Sequence, residues 1–337
     1  MKKSLLSVAA VLAIGVGSAQ AADLAPRMFT KAPPVVAFDP WDIAFGSAIM
    51  SDYVFRGVTQ SNHKPSVTAY FEPRYNLTKD LQLYVGSSFE SISFANRAAA
   101  EVDIYGGIRP TFGAAAFDFG VFGYLYPGGT CYYGAANAGP GGTDTAGRPL
   151  SAECLTNALP NANVIKKDVS FFEAYAKVNY TFNDTFSLGA NAYYSPNFLN
   201  TGAQGTYASV VGKVIAPGTF FGSSGIGAYV SGEFGRQWLG TSDSFYGVPA
   251  FPNGIKYADY NTWNIGVGFT YKVFTLDLRY SDTNLSRANC NAFTSDNTAR
   301  FSSSFSPINP TGVGSTWCGA TGIAKLSADL TAMTNLK

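Results

Sequence analysis

The sequence predicts an all-β fold, a transmembrane antiparallel β-barrel of about twelve strands behind a cleaved signal peptide. Segments of about ten residues alternate apolar with polar side chains, their connections run short then long, and the chain opens on an export signal. Composition agrees, because 46% hydrophobic residues with only 13% charged still give a mean hydropathy near zero, so apolar and polar residues must alternate.

The export signal comes first. Lys2 and Lys3 precede an apolar run from Leu5 to Val16 and then the small-x-small step Ala19-Gln20-Ala21, which makes 1–21 a signal peptide and Ala22 the mature start. The run is about 12 residues, short of the roughly 20 a spanning helix needs, and an uncleaved anchor is the competing reading. Residues 22–40 carry Pro26, Pro33, Pro34 and Pro40 and read as an extended periplasmic lead-in, with the barrel over 41–337. Losing Lys2 and Lys3 leaves the chain close to neutral, without the basic footprint of a nucleic-acid partner.

The strands rest on period two. Trp263, Ile265, Val267, Phe269 and Tyr271 alternate with Asn264, Gly266, Gly268, Thr270 and Lys272, a pattern a helix would scatter around its axis. The same reading gives strands at 41–56, 65–75, 81–92, 101–112, 116–126, 169–182, 186–196, 206–214, 225–235, 260–272, 275–283 and 321–332. Short connections such as 76–80, 113–115, 183–185 and 273–274 alternate with longer ones, notably the external loops 127–168, 236–259 and 284–320. Periplasmic turns and outer loops of a single-chain barrel alternate in this way, and a soluble β-sandwich has no reason to. Closure follows because hydrocarbon offers a strand edge no hydrogen-bond partner. Tyr53, Phe55, Phe112, Tyr124, Tyr126, Tyr180, Phe182, Tyr194 and Tyr280 lie near strand ends and are expected in two interfacial girdles.

With the apolar phase on lipid, Glu72, Arg74, Glu90, Asp103, Arg109, Glu173, Lys177, Asp277 and Arg279 become the pore-lining candidates. Tyr70, Tyr84, Tyr105, Tyr175, Tyr193 and Tyr229 share their phase and narrow the bore. Such a lumen is either wet or densely salt-bridged, and the sequence leaves both open. The expectation is a Gram-negative outer-membrane channel for passive diffusion of small hydrophilic solutes or ions, its partners being outer-membrane lipids and those solutes. The alternative is a closed barrel with a structural or surface-binding role through stapled loops.

Cys131 with Cys154, and Cys290 with Cys318, fall inside single outer loops, so two disulfides are expected in an exported chain. No CxxC spacing occurs and His63 is the only histidine, so neither a metal nor another cofactor is expected. An outer-membrane lipase would need a serine and an orienting partner beside His63, and no catalytic residue is assigned. At Arg56-Gly57 an arginine meeting anions at a pore rim competes with a strand-to-loop turn in which Arg56 pairs with Asp52 or snorkels.

The block Ser51-Asp52-Tyr53-Val54-Phe55-Arg56-Gly57-Val58-Thr59-Gln60-Ser61 resembles the TorF family of porins. Similarity extends through Glu101-Val102-Asp103-Ile104-Tyr105-Gly106-Gly107, Phe172-Glu173-Ala174-Tyr175 and Tyr193-Tyr194-Ser195-Pro196-Asn197-Phe198, across most of 42–282. The resemblance implies an outer-membrane barrel with a pore and names no substrate. Two features depart from the family pattern: the long cysteine-bearing loops, and an ending at Thr334-Asn335-Leu336-Lys337 where many barrels finish on an aromatic residue.

Overall fold

The computed structural model describes residues 40–132 and 164–336. The signal peptide, the lead-in up to residue 39 and the middle of the 127–168 loop with Cys154 lie outside the described residues. In chain order the strands are β1 (Trp41–Met50), β2 (Val54–Phe55), β3 (Val58–Thr59), β4 (Ser66–Thr78), β5 (Leu81–Glu90), β6 (Glu101–Phe112), β7 (Ala115–Leu125) and β8 (Phe171–Thr181). They continue as β9 (Phe186–Ser195), β10 (Gly205–Ile215), β11 (Ile226–Leu239), β12 (Tyr260–Tyr271), β13 (Phe274–Thr283), β14 (Arg300–Phe301), β15 (Val313–Gly314) and β16 (Thr321–Thr331). Helix α1 (Arg287–Thr294) lies in the loop after β13, and α2 (Ala332–Asn335) follows β16.

The long strands close into a twelve-stranded antiparallel barrel, β16 pairing with β13 on one side and β1 on the other, and β1 with β4. Every strand edge is thereby used, as hydrocarbon requires. Side chains alternate as the sequence predicts: Val85, Ile104, Val121, Val210, Ile265 and Leu278 are exposed outward, while Tyr84, Tyr105, Tyr175 and Tyr207 are buried inward. Glycines make room for those rings. Gly86 pairs with Tyr105, Gly120 with Tyr175 and Gly268 with Tyr229 across neighbouring strands, and a Cβ at each glycine would overlap the ring.

Trp41, Phe112, Phe182 and Phe274 are exposed at the short-turn end, and Phe89, Phe172, Tyr194 and Tyr280 at the loop end. Three residues expected in these girdles face inward instead, since Tyr53, Tyr124 and Tyr126 are all buried, and Phe55 is half-buried. Tyr124 shares the parity of Asp118 on β7, which is the lumen phase of that strand, and its hydroxyl donates to Glu173 at 3.3 Å. Amphipathic rings suit a polar interior as well as a headgroup layer, so position near a strand end did not decide their side.

The strand expected over 41–56 stops at Met50. Residues 51–61 instead fold back as the β2–β3 hairpin across the loop-end mouth, turning at Arg56 (φ 47°) and Gly57 (φ 78°). The 284–320 loop packs over it: Val58 bridges Cys318, Thr59 N–H donates to the Trp317 carbonyl at 2.9 Å, and Cys290 is disulfide-bonded to Cys318. The expected Cys131–Cys154 bridge cannot be followed beyond Cys131, because Cys154 is outside the described residues.

Candidate functional site

The candidate site is the barrel interior. Arg56 reaches from the hairpin to β8, donating through Nη1 and Nη2 to Glu173 at 2.9 and 2.7 Å, and through Nη1 to Gln237 on β11 at 3.1 Å. Its guanidinium lies 4.8 Å from the ring centre of Tyr193 and 4.5 Å from that of Tyr207. Side chains of four strands, β8 to β11, therefore hold one cation, and the bidentate fork fixes its direction. The turn reading at Arg56-Gly57 describes the backbone, but the arginine's partner is Glu173 and not Asp52.

Deeper in the barrel, Glu72 accepts from Arg74 Nε at 2.6 Å and from Arg109 Nη1 at 2.8 Å, and Arg109 Nε donates to Asp118 at 3.3 Å. Tyr84 Oη donates to Asp118 at 2.5 Å and also meets the Tyr175 hydroxyl. Across the lumen, Arg279 donates to Asp277 at 3.0 Å and to Asn264 and Ser231, while Tyr229 Oη donates to Asp277 at 2.8 Å. Lys177 lies 4.8 Å from the Tyr175 ring centre and Lys213 4.0 Å from that of Tyr229.

All nine pore-lining candidates sit on inward-phase positions. Glu72, Glu90, Asp103 and Glu173 are at most 1% exposed, and the Arg109 and Asp277 side chains retain only 14% exposure. The structure thus gathers Glu72, Arg74 and Arg109 into one network and Asp277 with Arg279 into another, and places Glu90 beside Asp103. It adds residues not singled out as lumen groups in the sequence, chiefly Arg56, Tyr53, Tyr124 and Gln237. Tyr124 was recoverable from its parity with Asp118; Arg56 was not, because its partner lies 117 residues away.

On the outer side, His63 Nδ1 lies 2.8 Å from Asp52 and Nε2 lies 3.0 Å from the Thr316 carbonyl. Both ring nitrogens therefore face acceptors. The bond to Asp52 raises the imidazole pKa, partial burial opposes it, and the Thr316 carbonyl reinforces the rise. Nearby Ser61 Oγ bonds Asp52 and the Lys64 carbonyl and leaves the ring to Asp52 and Thr316.

Residues 36–138 match the model of a family described as a bacterial protein of unknown function (Gcw_chp), a span that includes the block 51–61. No curated protein matches the chain. Among solved structures, LpxR from Salmonella typhimurium is 10% identical, with 85% of this chain and 99% of that chain covered at a TM-score of 0.38. The NanC porin is 6% identical, covering 86% and 100% at 0.35, and Pseudomonas putida OprB is 11% identical, covering 86% and 93% at 0.35. At these identities and scores the likeness bears on neither substrate nor activity.

Proposed function

We propose that this chain is an outer-membrane barrel that is shut at rest and acts through its capped outer face, in a structural or surface-binding role without covalent chemistry. The observation that carries this reading is Arg56, drawn from an inward-folded hairpin onto Glu173 in the mouth, above a wall whose inward charges pair and whose inward tyrosines are buried. The apolar belt of Val85, Ile104, Ile265 and Leu278 supports the membrane setting, since such a ring exposed to water would be an aggregation hazard.

Passive passage of small hydrophilic solutes is a second reading, favoured by the charged wall and by a hairpin held at Arg56 through noncovalent contacts. Under it, residues 51–61 must leave the mouth before anything crosses. The test is conductance of refolded protein in planar bilayers. Wild type is expected to give no stable ohmic steps, and steps that appear on Arg56→Ala would move the assignment to a gated channel. Stable steps from wild type itself would overturn the closed reading. Removing Arg56 leaves Glu173 buried without its cation, a change that costs about 3–5 kcal/mol, so folded protein must first be verified by heat-dependent gel migration.

A further inference from the structure

We propose that Glu90, Glu101 and Asp103 form a binding site for a hard divalent cation of the calcium type inside the barrel. Glu90 ends β5 and Glu101 begins β6; the two are cross-strand partners, and Asp103 follows two residues on, on the same face. One carboxylate oxygen from each lies within 4.8 Å of the others. All three side chains are at most 1% exposed, and among the described residues none takes part in an ion pair. Lys325 acts on Glu90 through its field without pairing with it. Three carboxylates this close and this dry repel one another and lose their hydration, so an oxygen-rich cage of this sort calls for a counter-charge.

The hydrogen bonds supply only part of what these groups need. Tyr53 Oη donates to Glu101 at 2.6 Å, with the Tyr126 hydroxyl as a second partner, Thr68 donates to Glu90 at 2.9 Å and Ser88 to Asp103 at 2.7 Å, and the Glu90 and Asp103 carboxyls meet each other. Glu90 Oε2 and Asp103 Oδ1 are buried acceptors to which no group donates among the described residues. The donor set is oxygen alone, which suits calcium over the soft or imidazole-seeking metals. Oxygens that all lie within 4.8 Å of one another can reach a single ion at the roughly 2.3–2.6 Å of a calcium–oxygen bond. Magnesium, which keeps several of its own waters, suits a dry cage less well. Because Tyr53 belongs to the chain that folds across the mouth, a bound cation would neutralise the wall directly against that segment.

The experiment is calorimetric titration of refolded full-length protein in detergent with Ca²⁺, alongside Tb³⁺ luminescence excited through the neighbouring tyrosines. One saturable site is expected, with Ca²⁺ displacing Tb³⁺. Glu90→Gln and Asp103→Asn, which keep shape and remove charge, should each weaken it on the order of 10-fold or more while heat-dependent gel migration is retained. No saturable site in wild type, or unchanged affinity in both variants, overturns the proposal; the first result would mean that the carboxyls are held by protons. Should the variants fail to fold, the thermal midpoint of wild type in Ca²⁺ against EGTA decides: a rise supports the site, and no change overturns it.

Discussion

Arg56 is 5% exposed, a position in which a lone guanidinium would cost several kcal/mol. The fork to Glu173 and the faces of Tyr193 and Tyr207 offset that cost, and the positive φ at Arg56 is held by the same contacts. His63 works on the outer side of the same segment. Its folded pKa lies above the ordinary 6.5, so its contribution is fully present below the unfolded value and disappears as pH rises through the folded one. Asp52 and Asp296 are the acids whose fields act on the ring, and Thr316 supplies the opposing carbonyl. The His63 side chain is 36% exposed, so solvent screening limits the effect to about 1 kcal/mol. His63→Ala should therefore speed amide exchange at Thr59, which bonds Trp317, at pH 5.5 and much less at pH 9; equal acceleration at both would refute the charge-based account. At this scale the sequence was legible where phase alone decides. The inward positions of Glu72, Arg109 and Arg279 follow from alternation, whereas the partners of Arg56 and His63 lie on remote elements that leave no local mark.

The strands show which parts of a pattern survive folding. Those expected at 81–92, 101–112 and 321–332 end within two residues of their observed limits, because period two and turn residues act locally. The failure at 41–56 is equally physical. Val54, Phe55, Val58 and Thr59 are strand formers, and they do form strands, but in a separate hairpin whose turn begins at Arg56. Within the wall, an inward tyrosine opposite a glycine gives each strand pair a filled interior without widening the barrel, the ring covering the neighbour that lacks a side chain. Gly268→Ala should cost about 1–3 kcal/mol by forcing the Tyr229 ring away from Asp277. Gly212→Ala, where a Cβ meets open space, is expected to change little. Urea midpoints of folded protein in lipid vesicles measure both, and a Gly268→Ala variant as stable as Gly212→Ala would remove the packing argument.

For the whole molecule, the distribution of apolar surface inverts that of a soluble protein: charges and tyrosine hydroxyls fill the interior while Val, Ile and Leu cover the outside. A closed barrel in water would gain nothing from that belt, whereas one in a bilayer requires it, and the two settings give opposite expectations for a single outward charge. Val85 lies in the middle of β5 and is 56% exposed, while Val67 lies near the loop end of β4 and is 47% exposed. If the wall faces lipid, Val85→Arg sits at the hydrocarbon midplane and should cost about 2–4 kcal/mol, and Val67→Arg, able to reach the headgroups, only about 0–1. If the wall faces water, both are exposed surface changes and should fall within about 0.5 kcal/mol of wild type. Equilibrium refolding from urea into phosphatidylcholine vesicles gives both numbers on one scale. A depth-dependent penalty fixes the membrane setting independently of any resemblance, and two equal, negligible values would return the barrel to solution and take the closed-lumen function with it.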